Sequence, residues 1–330
     1  MDAARLSGLL DDIRRVRLGI LGDFCLDAYW TMDPDQSERS VETGKPVQRV
    51  LSQRYGLGGA GNVAANAAAI GVHALQVFGV VGDDLFGREM MRRLGYLGAG
   101  CDGMVVAPDW YTTVYAKPLD GVVERERFDF GTLNEISPAT EAELLRRLED
   151  ALDALDALIV NQQIPRSYLS PNVIVALNAI AAKTKCTIVV DSRNASGAFR
   201  NVVLKVNAAE AAALCGAPTS ADDPAAAEEY ARTLHARTGR PVVVTCGAHG
   251  ILVFDGTAAQ LSPVIPVRGP IDTVGAGDTV TAVIAALLGA GASLRDAVDV
   301  ANVATNVTVR KLQQTGTATP QEMLAVLGGA

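Results

Sequence analysis

Short apolar runs and longer segments with a helical period of apolar residues alternate along most of the chain. Runs of five to seven apolar residues predict buried strands, and the longer periodic segments predict helices. The predicted strands are 16–22, 75–81, 157–161, 187–191, 202–206, 241–245 and 251–254. The predicted helices are 1–17, 85–97, 138–155, 169–183, 225–237, 276–288 and 294–311, with further helices after the glycine segment at 55–66, opening at 207–210 and from Pro320. This β-α alternation predicts an α/β fold, a mostly parallel central sheet with helices on both faces.

Two segments depart from this alternation. Residues 31–50 and 110–130 place single apolar residues between polar ones, which predicts exposed two-sided β ribbon. We expect them to form a small β-sheet lid, from segments at about 28–52 and 108–130 inserted into the main unit. The sequence shows no internal repeat and no linker, so a single domain over 1–330 is predicted.

Composition narrows the class of protein. The net charge of −8 and the absence of a basic run argue against nucleic acid or a membrane surface as a partner. The first residues predict a charged amphipathic helix rather than a signal peptide, and the five cysteines are dispersed without a C-x-x-C pair. We therefore expect a cytoplasmic protein with reduced thiols. The three histidines have no metal-ligand spacing.

The stretch 272–279, D-T-V-G-A-G-D-T, carries the most chemistry. Its small residues stand where a buried helix begins, and free N–H groups at a helix N-terminus attract anions. Asp278 in the first turn has two interpretations. It stabilises the helix N-terminus as a carboxylate, or it takes a proton from an alcohol beside an anion hole.

A glycine segment at 55–66, Y-G-L-G-G-A-G-N-V-A-A-N, contains G-x-G-x-x-G at Gly56, Gly58 and Gly61. A strand ending at an Asp pair, residues 83–84, follows at nearly the spacing of a dinucleotide-binding fingerprint, so an oxidoreductase is one alternative. The segment follows polar ribbon rather than a buried first strand, which argues against that alternative.

Further polar residues follow predicted strands. Asp23 and Asp27 lie at and beyond the carboxyl end of the first strand, where α/β sheets bind ligands, and carboxylates suit a ligand with many hydroxyls. Asn207 and Glu210 have the spacing of a helix capping box. The segment 244–250, V-T-C-G-A-H-G, predicts a tight turn between two strands, with a simple hairpin as the alternative.

The stretch D-T-x-G-A-G-D resembles the C-terminal signature of the ribokinase (PfkB) family of sugar and nucleoside kinases. G-G-A-x-N-x-A-x-N resembles its first signature, and N-x-x-E and V-T-x-G-x-x-G resemble two further motifs, in the family's order along the chain. The resemblance implies a ribokinase-like fold and transfer of the γ-phosphoryl group of ATP to a sugar hydroxyl, with magnesium on the ATP phosphates. A nucleoside kinase of the same family remains an alternative.

The resemblance also implies roles for individual residues. Asp278 is the expected general base, with an anion hole from the amides of Gly275, Ala276 and Gly277. The expected sugar ligands are Asp23, Asp27, Gly58, Gly59 and Asn62, and the expected ATP ligands are Asn207, Glu210, Thr245, Gly247, Gly250, Thr273 and Asn302. Glu210 is expected to hold magnesium through water. A monovalent cation (K⁺) is left open, and a homodimer through the β lid is expected.

Within the family, the chain most resembles the kinases of bacterial heptose 7-phosphate, on segments at 22–30, 42–50, 127–130 and 311–312. That group carries S-D-Y-x-K-G after the central strand, where this chain has N-Q-Q-I-P at 161–165. A phosphorylated acceptor is also predicted from cations. Arg125 and Arg127 are two apart on a predicted strand and so share a face, and Arg193 follows the carboxyl end of another strand. The alternative is that Arg125 and Arg127 pair with carboxylates of the ribbon itself, such as Glu124 and Glu126.

Overall fold

The computed structural model describes residues 1–35, 38–218, 223–312 and 314–328. The strands are β1 Arg17–Gly22, β2 Phe24–Met32, β3 Val50–Gly59, β4 Ala74–Gly82, β5 Gly100–Ala107, β6 Thr113–Asp120, β7 Val123–Glu124, β8 Phe128–Phe130, β9 Ala157–Gln162, β10 Thr187–Ser192, β11 Val203–Asn207, β12 Val242–Thr245, β13 Ile251–Phe254 and β14 Ala259–Ser262. The helices are α1 Ala3–Ile13, α2 Ala60–Ile70, α3 Leu85–Tyr96, α4 Pro138–Leu152, α5 Pro171–Ala181, α6 Ala208–Leu214, α7 Pro224–Thr238, α8 Ala276–Gly289, α9 Leu294–Thr308 and α10 Pro320–Gly328.

The central sheet contains nine strands within the described residues, in the order β14-β13-β12-β11-β10-β9-β1-β4-β5. The seven strands from β12 to β5 are parallel, and β13 and β14 continue the sheet antiparallel. This arrangement confirms the mostly parallel sheet that the β-α alternation predicts. Strands β5 and β14 are additions that the sequence pattern did not indicate.

Helices cover both faces of the central sheet because its strands are apolar on both sides. Ile159 and Val189 point into a core with residues of α1, α2, α8 and α9. The next residues, Val160 and Val190, point into a second core with residues of α4, α5 and α7. The helices thus bury the two sets of strand side chains that alternate along the sheet.

Helix starts follow the local sequence closely on the second of these faces. Ser137 and Ser170 each precede a proline at the first helical position, and each hydroxyl accepts a hydrogen bond from the backbone N–H three residues later. Proline has no N–H to leave unsatisfied there, and serine oxygen caps one of the N–H groups that remain. Helices α4 and α5 are therefore fixed by their caps as well as by their apolar stripes.

A second, small sheet has the order β3-β2-β6-β7, with β8 also paired to β6. Its existence was predicted, but its first ribbon was misplaced. Residues 33–35 and 38–49 contain only an isolated bridge between Arg39 and Pro46, and the strands lie on either side at β2 and β3. Pro34 and Pro46 lack the N–H that a ladder needs, which explains why pairing is interrupted here.

Candidate active site

The carboxyl ends of the parallel strands form one edge of the central sheet, and polar residues line it. Gly22, Asn161 and Asp191 are neighbours in register across β1, β9 and β10, and Asn207 pairs with Thr245 across β11 and β12. Helix α8 begins at this edge, since Thr281 of its second turn donates a hydrogen bond to Asp191 at 2.7 Å. The fold therefore brings the segment 272–279 to the edge where α/β sheets bind ligands.

Asp278 is held by the glycine-segment helix α2. Its Oδ2 accepts a hydrogen bond from Nδ2 of Asn62 at 2.6 Å, across 216 positions of sequence. One turn further along α2, Oδ1 of Asn66 accepts from the Thr279 hydroxyl at 2.9 Å. The two asparagines of the glycine segment thus fix two consecutive residues at the start of α8, and Asn62 lies against the expected base.

The Asp278 carboxyl has a perturbed pKa. Burial raises its pKa to about 6, and the negative charge of Asp191 adds to the shift. The hydrogen bond from Asn62 and the positive charges of Lys205 and Arg193 act in the opposite direction. A carboxylate with a pKa near 6 is mostly ionised at neutral pH and more basic than an ordinary Asp, the state that a general base needs.

The backbone at the start of α8 leaves several N–H groups without an acceptor in the described residues. Gly275 has a φ of 81°, and a Cβ there would lie 2.7 Å from Nδ2 of Asn62, so this position favours glycine on both counts. The Ala276 N–H donates to the Thr273 carbonyl at 3.1 Å. Within the described residues, the amides of Gly275, Gly277 and Asp278 have no acceptor. The free donors of the expected anion hole are therefore Gly275, Gly277 and Asp278 itself.

A buried ion pair lies directly beneath these amides. Nζ of Lys205 on β11 contacts Oδ2 of Asp191 on β10 at 2.8 Å, and both side chains are less than 10% exposed. A Cβ at Gly277 would lie only 3.0 Å from Nζ of Lys205, so the ammonium group sits against the helix start. Burial lowers the pKa of Lys205, but Asp191 outweighs burial and the net shift is upward. Lys205 was not among the residues predicted from the sequence.

Asp27 lies on the small sheet at the other side of the glycine segment. Its Oδ1 accepts from Nζ of Lys117 at 2.7 Å, and its Oδ2 would be 3.0 Å from a Cβ at Gly58. Gly59 has a φ of 55°, and a Cβ there would collide with the Asp23 carbonyl at 2.4 Å. The two glycines therefore allow β3 to pass close to the carboxylate of Asp27 and then turn into α2.

Asp23 is buried and its carboxylate holds a loop. Oδ2 accepts from the backbone N–H groups of Gln163 and Ile164, both at 2.9 Å. Burial raises the pKa of Asp23 to about 7, against the lowering effect of those two amides. The segment after β9, where the heptose kinases carry a different sequence, is thus tied to the end of β1.

The expected ATP ligands are spread along the same edge. Asn207 and Glu210 form a full capping box on α6, with bonds of 2.8 and 2.9 Å between side chains and backbone. Thr245 ends β12, and Gly247 and Gly250, with φ of 51° and 111°, turn the chain into antiparallel β13. Strands β12 and β13 thus form a hairpin, which was the alternative interpretation of the segment 244–250. The amide of Asn302 is buried and donates to Ser262 at 2.8 and 2.9 Å.

The predicted arginine clamp differs from the structure. Residues 125–127 lie between β7 and β8 rather than on a strand. Arg125 pairs with Asp120, and Arg127 makes two bonds to Asp129 of 2.6 and 2.8 Å. Asp120 at the end of β6 and Asp129 within β8 therefore neutralise the two guanidinium groups. Arg193 is exposed and near enough to Asp278 to lower its pKa.

The dinucleotide alternative does not agree with the topology. Gly56 and Gly58 lie on β3, which is antiparallel to β2 in the small sheet, and Gly61 is already inside α2. A dinucleotide fingerprint instead follows the buried first strand of a parallel βαβ unit.

Among the described residues, no group of three or more His, Cys, Asp or Glu side chains has the geometry to hold a metal ion. None of the helices in the ranges given above is both long and apolar enough to cross a membrane.

Comparison with known proteins agrees with this geometry. The model of the pfkB family of carbohydrate kinases matches residues 25–322. The bifunctional protein HldE of Gluconobacter oxydans is 31% identical over 94% of this chain, and that of Azorhizobium caulinodans is 32% identical over 97%. The chain spans 64% and 66% of the lengths of these two relatives, just under two thirds.

Solved structures share the fold at low identity. Phosphofructokinase-2 from Escherichia coli in complex with potassium is 19% identical with a TM-score of 0.75, covering 95% of this chain and 99% of that one. A ribokinase from Arabidopsis thaliana complexed with ribose and ATP is 19% identical with a TM-score of 0.70, at the same coverage. These similarities confirm the predicted α/β fold with its second small sheet.

Proposed function

This chain belongs to the pfkB family of carbohydrate kinases and is a phosphotransferase acting on a sugar hydroxyl; from that premise we propose that it moves the γ-phosphoryl group of ATP with Asp278 as general base. The observation that carries the proposal is the position of Asp278. Its carboxylate has a pKa of about 6 and stands beside N–H groups of Gly277 and Asp278 that have no acceptor in the described residues. Base and anion donors are therefore adjacent, as transfer of a phosphoryl group to an alcohol requires.

In the proposed mechanism, Asp278 accepts the proton of the acceptor hydroxyl as that oxygen attacks phosphorus. The bond from Asn62 at 2.6 Å holds the carboxylate in place. The free amides of Gly275, Gly277 and Asp278 and the ammonium of Lys205 stabilise negative charge on the phosphoryl oxygens. Because phosphoryl transfer relies on positioning and electrostatics, a fixed base and fixed donors account for most of what the protein contributes.

We place ATP along β11, β12 and the loop before α8. Thr245, Gly247 and Gly250 border the turn after β12, Thr273 precedes the helix start, and Asn302 fixes β14 beside α9. Magnesium bound to the ATP phosphates would supply charge neutralisation. Glu210, held by its capping box with Asn207 and close enough to raise the pKa of Lys205, would reach it through water. The monovalent cation K⁺ stays an open part of the proposal.

For the acceptor we propose a sugar or sugar phosphate, with heptose 7-phosphate as the first candidate. Asp27 is the better placed of the two carboxylates, because one oxygen of Asp23 already accepts two backbone N–H groups. Gly58 and Gly59 bring the Asp27 carboxylate close to the start of α2, which carries Asn62 and its contact with Asp278. Arg193 stands exposed on the Asp278 side.

We also propose a cytoplasmic homodimer that forms through the small sheet. Several apolar side chains of this sheet and its turns are exposed, among them Leu51 at 63%, Val122 at 81% and Phe128 at 56%. Exposed apolar residues gathered on one small sheet are typical of an association surface. A second copy would cover them symmetrically.

The test is a coupled kinase assay with ATP and magnesium over matched free and phosphorylated sugars, with nucleosides included. Turnover of at least one carbohydrate is expected, and Asp278→Asn should lower kcat by roughly two to four orders of magnitude, the range of general-base catalysis. Folding and ATP affinity, measured by thermal unfolding and calorimetry, should change little. Near-normal turnover in a folded Asp278→Asn protein, or transfer to nucleosides alone, would contradict the proposal.

A further inference from the structure

One face of the small sheet carries charged and aromatic side chains in register. Asp27 on β2 is opposite Tyr115 on β6, and Tyr29 is opposite both Lys117 on β6 and Arg54 on β3. Side chains opposite each other on paired strands point to the same face. We call these five residues the polar face. Gly58 lies on the same side of the sheet, because it is opposite Cys25, two positions before Asp27.

The reverse face of the same sheet is apolar: Val114 and Ala116 are buried there, and Phe128 and Phe130 are 56% and 41% exposed. Trp30 lies 6.4 Å from Phe128, and Phe130 lies 5.6 Å from Phe86 of α3, measured between ring centroids. The polar face is therefore the side whose side chains suit a charged or hydroxylated ligand. It begins beside Gly58 and Gly59, the residues that lead into α2 and so to the contact between Asn62 and Asp278.

Charges on the polar face are not balanced pair by pair. Lys117 is bonded to Asp27 at 2.7 Å, and the neighbouring Arg127 is bonded to Asp129. Arg54 lies 4.1 Å above the Tyr29 ring, and within the described residues its guanidinium has no ion pair or hydrogen bond. Nζ of Lys117 is 5.0 Å from the centroid of the same ring. Two cations thus flank one ring beside a single carboxylate.

Stacking on Tyr29 prepares Arg54 for an anion. The ring holds the guanidinium plane in place through a cation–π contact, so less side-chain freedom is lost when a ligand binds. The five N–H donors of arginine remain available, and their fork fits two oxygens of a phosphate. Arg127, by contrast, already gives two of its N–H donors to Asp129, whose negative charge opposes the approach of an anion.

Asp278, Asp27 and Arg54 follow one another from the α2 end of β3 along the small sheet, in an order that suits a substrate with a reacting hydroxyl at one end and an anionic group at the other. Gly59 ends β3 and leads into α2, whose Asn62 contacts Asp278. Asp27 lies across from Gly56 of β3, and Arg54 lies four residues before Gly58 on the same strand. Four strand residues extend over about 13 Å. An acceptor with its reacting hydroxyl at Asp278 and its ring hydroxyls at Asp27 would present its far end to Arg54.

We propose that Arg54, stacked on Tyr29 and supported by Lys117, binds the phosphate monoester at the end of the acceptor remote from the hydroxyl that is phosphorylated. This inference rests on the proposed function, and it gives the acceptor class: sugars that already carry a terminal phosphate. The subsite differs from the arginines predicted from sequence spacing, because those pair with Asp120 and Asp129.

The experiment compares Arg54→Ala and Arg54→Lys with wild type, using fructose against fructose 6-phosphate and mannose against mannose 6-phosphate. Arg92→Ala is the matched control, since Arg92 also lies over a tyrosine ring, at 4.9 Å from Tyr96, but on α3 away from the polar face. Both kcat/KM and the equilibrium affinity for each sugar phosphate are measured, the latter by calorimetry without ATP. Thermal unfolding verifies that each variant is folded.

Wild type should prefer the phosphorylated sugar of each pair. Arg54→Ala should lose roughly 10- to 100-fold in kcat/KM and affinity for it, the range of a lost hydrogen bond to a charged group, with free sugars unaffected. Arg54→Lys should retain part of the preference, and Arg92→Ala all of it. Equal losses for free and phosphorylated sugars, or an unchanged preference in Arg54→Ala, would overturn the proposal.

Failure of the proposed function would look different. Absence of turnover with every acceptor would contradict kinase activity, whereas the calorimetric arm still decides the subsite. Binding of sugar phosphates that Arg54→Ala does not weaken, or no binding to wild type at all, would overturn the subsite. A sugar acid of similar size, gluconate, serves as a further arm. If gluconate competes as well as the sugar phosphates, the subsite is not specific for a phosphate monoester.

Discussion

The carboxyl edge of the central sheet and the small sheet use charge in opposite ways. At the edge, Asp191 and Lys205 are buried and bonded to each other, and Asp191 also accepts a hydrogen bond from Thr281. On the small sheet, pairs such as Arg127 with Asp129 stand in solvent, where 45% and 33% of the two side chains are exposed. A buried charge that loses its partner destabilises the protein strongly, whereas an exposed one loses little. We therefore expect the loss of a charged partner to destabilise the protein more at the edge than on the exposed part of the small sheet.

The largest effect is expected from a substitution at the carboxyl edge of the central sheet, where it should lower the stability of the protein. Lys205→Met keeps the length of the side chain but leaves the Asp191 carboxylate buried without its cation. We expect the free energy of unfolding to fall by about 3–5 kcal/mol, measured by denaturant titration. A loss below about 1 kcal/mol would mean that water reaches Asp191 and that the pair is not the buried element described here.

The matched substitution on the small sheet should have the smallest effect. Arg127→Met removes an exposed guanidinium from Asp129 and from its place 4.6 Å over the Tyr115 ring. Because solvent screens both contacts, we expect the free energy of unfolding to change by less than about 1 kcal/mol. If the same titration shows Arg127→Met to be as destabilising as Lys205→Met, the distinction between the two regions is wrong.

The same contrast explains what the sequence could predict. Buried parallel strands are continuous apolar runs, so the central strands from β1 to β13 were found nearly at their bounds, apart from β5. The start of α8 was found because glycines and carboxylates at a helix N-terminus form a local pattern. Strand β2 was missed because only Asp23 separates it from β1, without a turn signal, so its residues look like a continuation of the first strand.

The residues that were missed all act through contacts between strands. Lys205 interrupts an otherwise apolar run, and its partner Asp191 lies 14 residues earlier on the neighbouring strand. Lys117 meets Asp27 across 90 residues, and Arg54 meets Tyr29 only through the register of β2 with β3. Such partners require strand order and register, which hydrophobic periodicity does not encode.

The central claim is that Asp278 is a base whose pKa is set by burial and moderated by Asn62. The most direct measurement is the pH dependence of kcat/KM, with the best acceptor, in wild type and in Asn62→Ala. Because protonated Asp278 cannot accept a proton, kcat/KM of wild type should fall as the pH is lowered through about 6. The bond from Asn62 favours the charged form, so its loss in Asn62→Ala should raise the pKa and move this fall to higher pH. An acid limb that is absent down to pH of about 4, the ordinary range for Asp, or one that does not move in Asn62→Ala, would contradict the account.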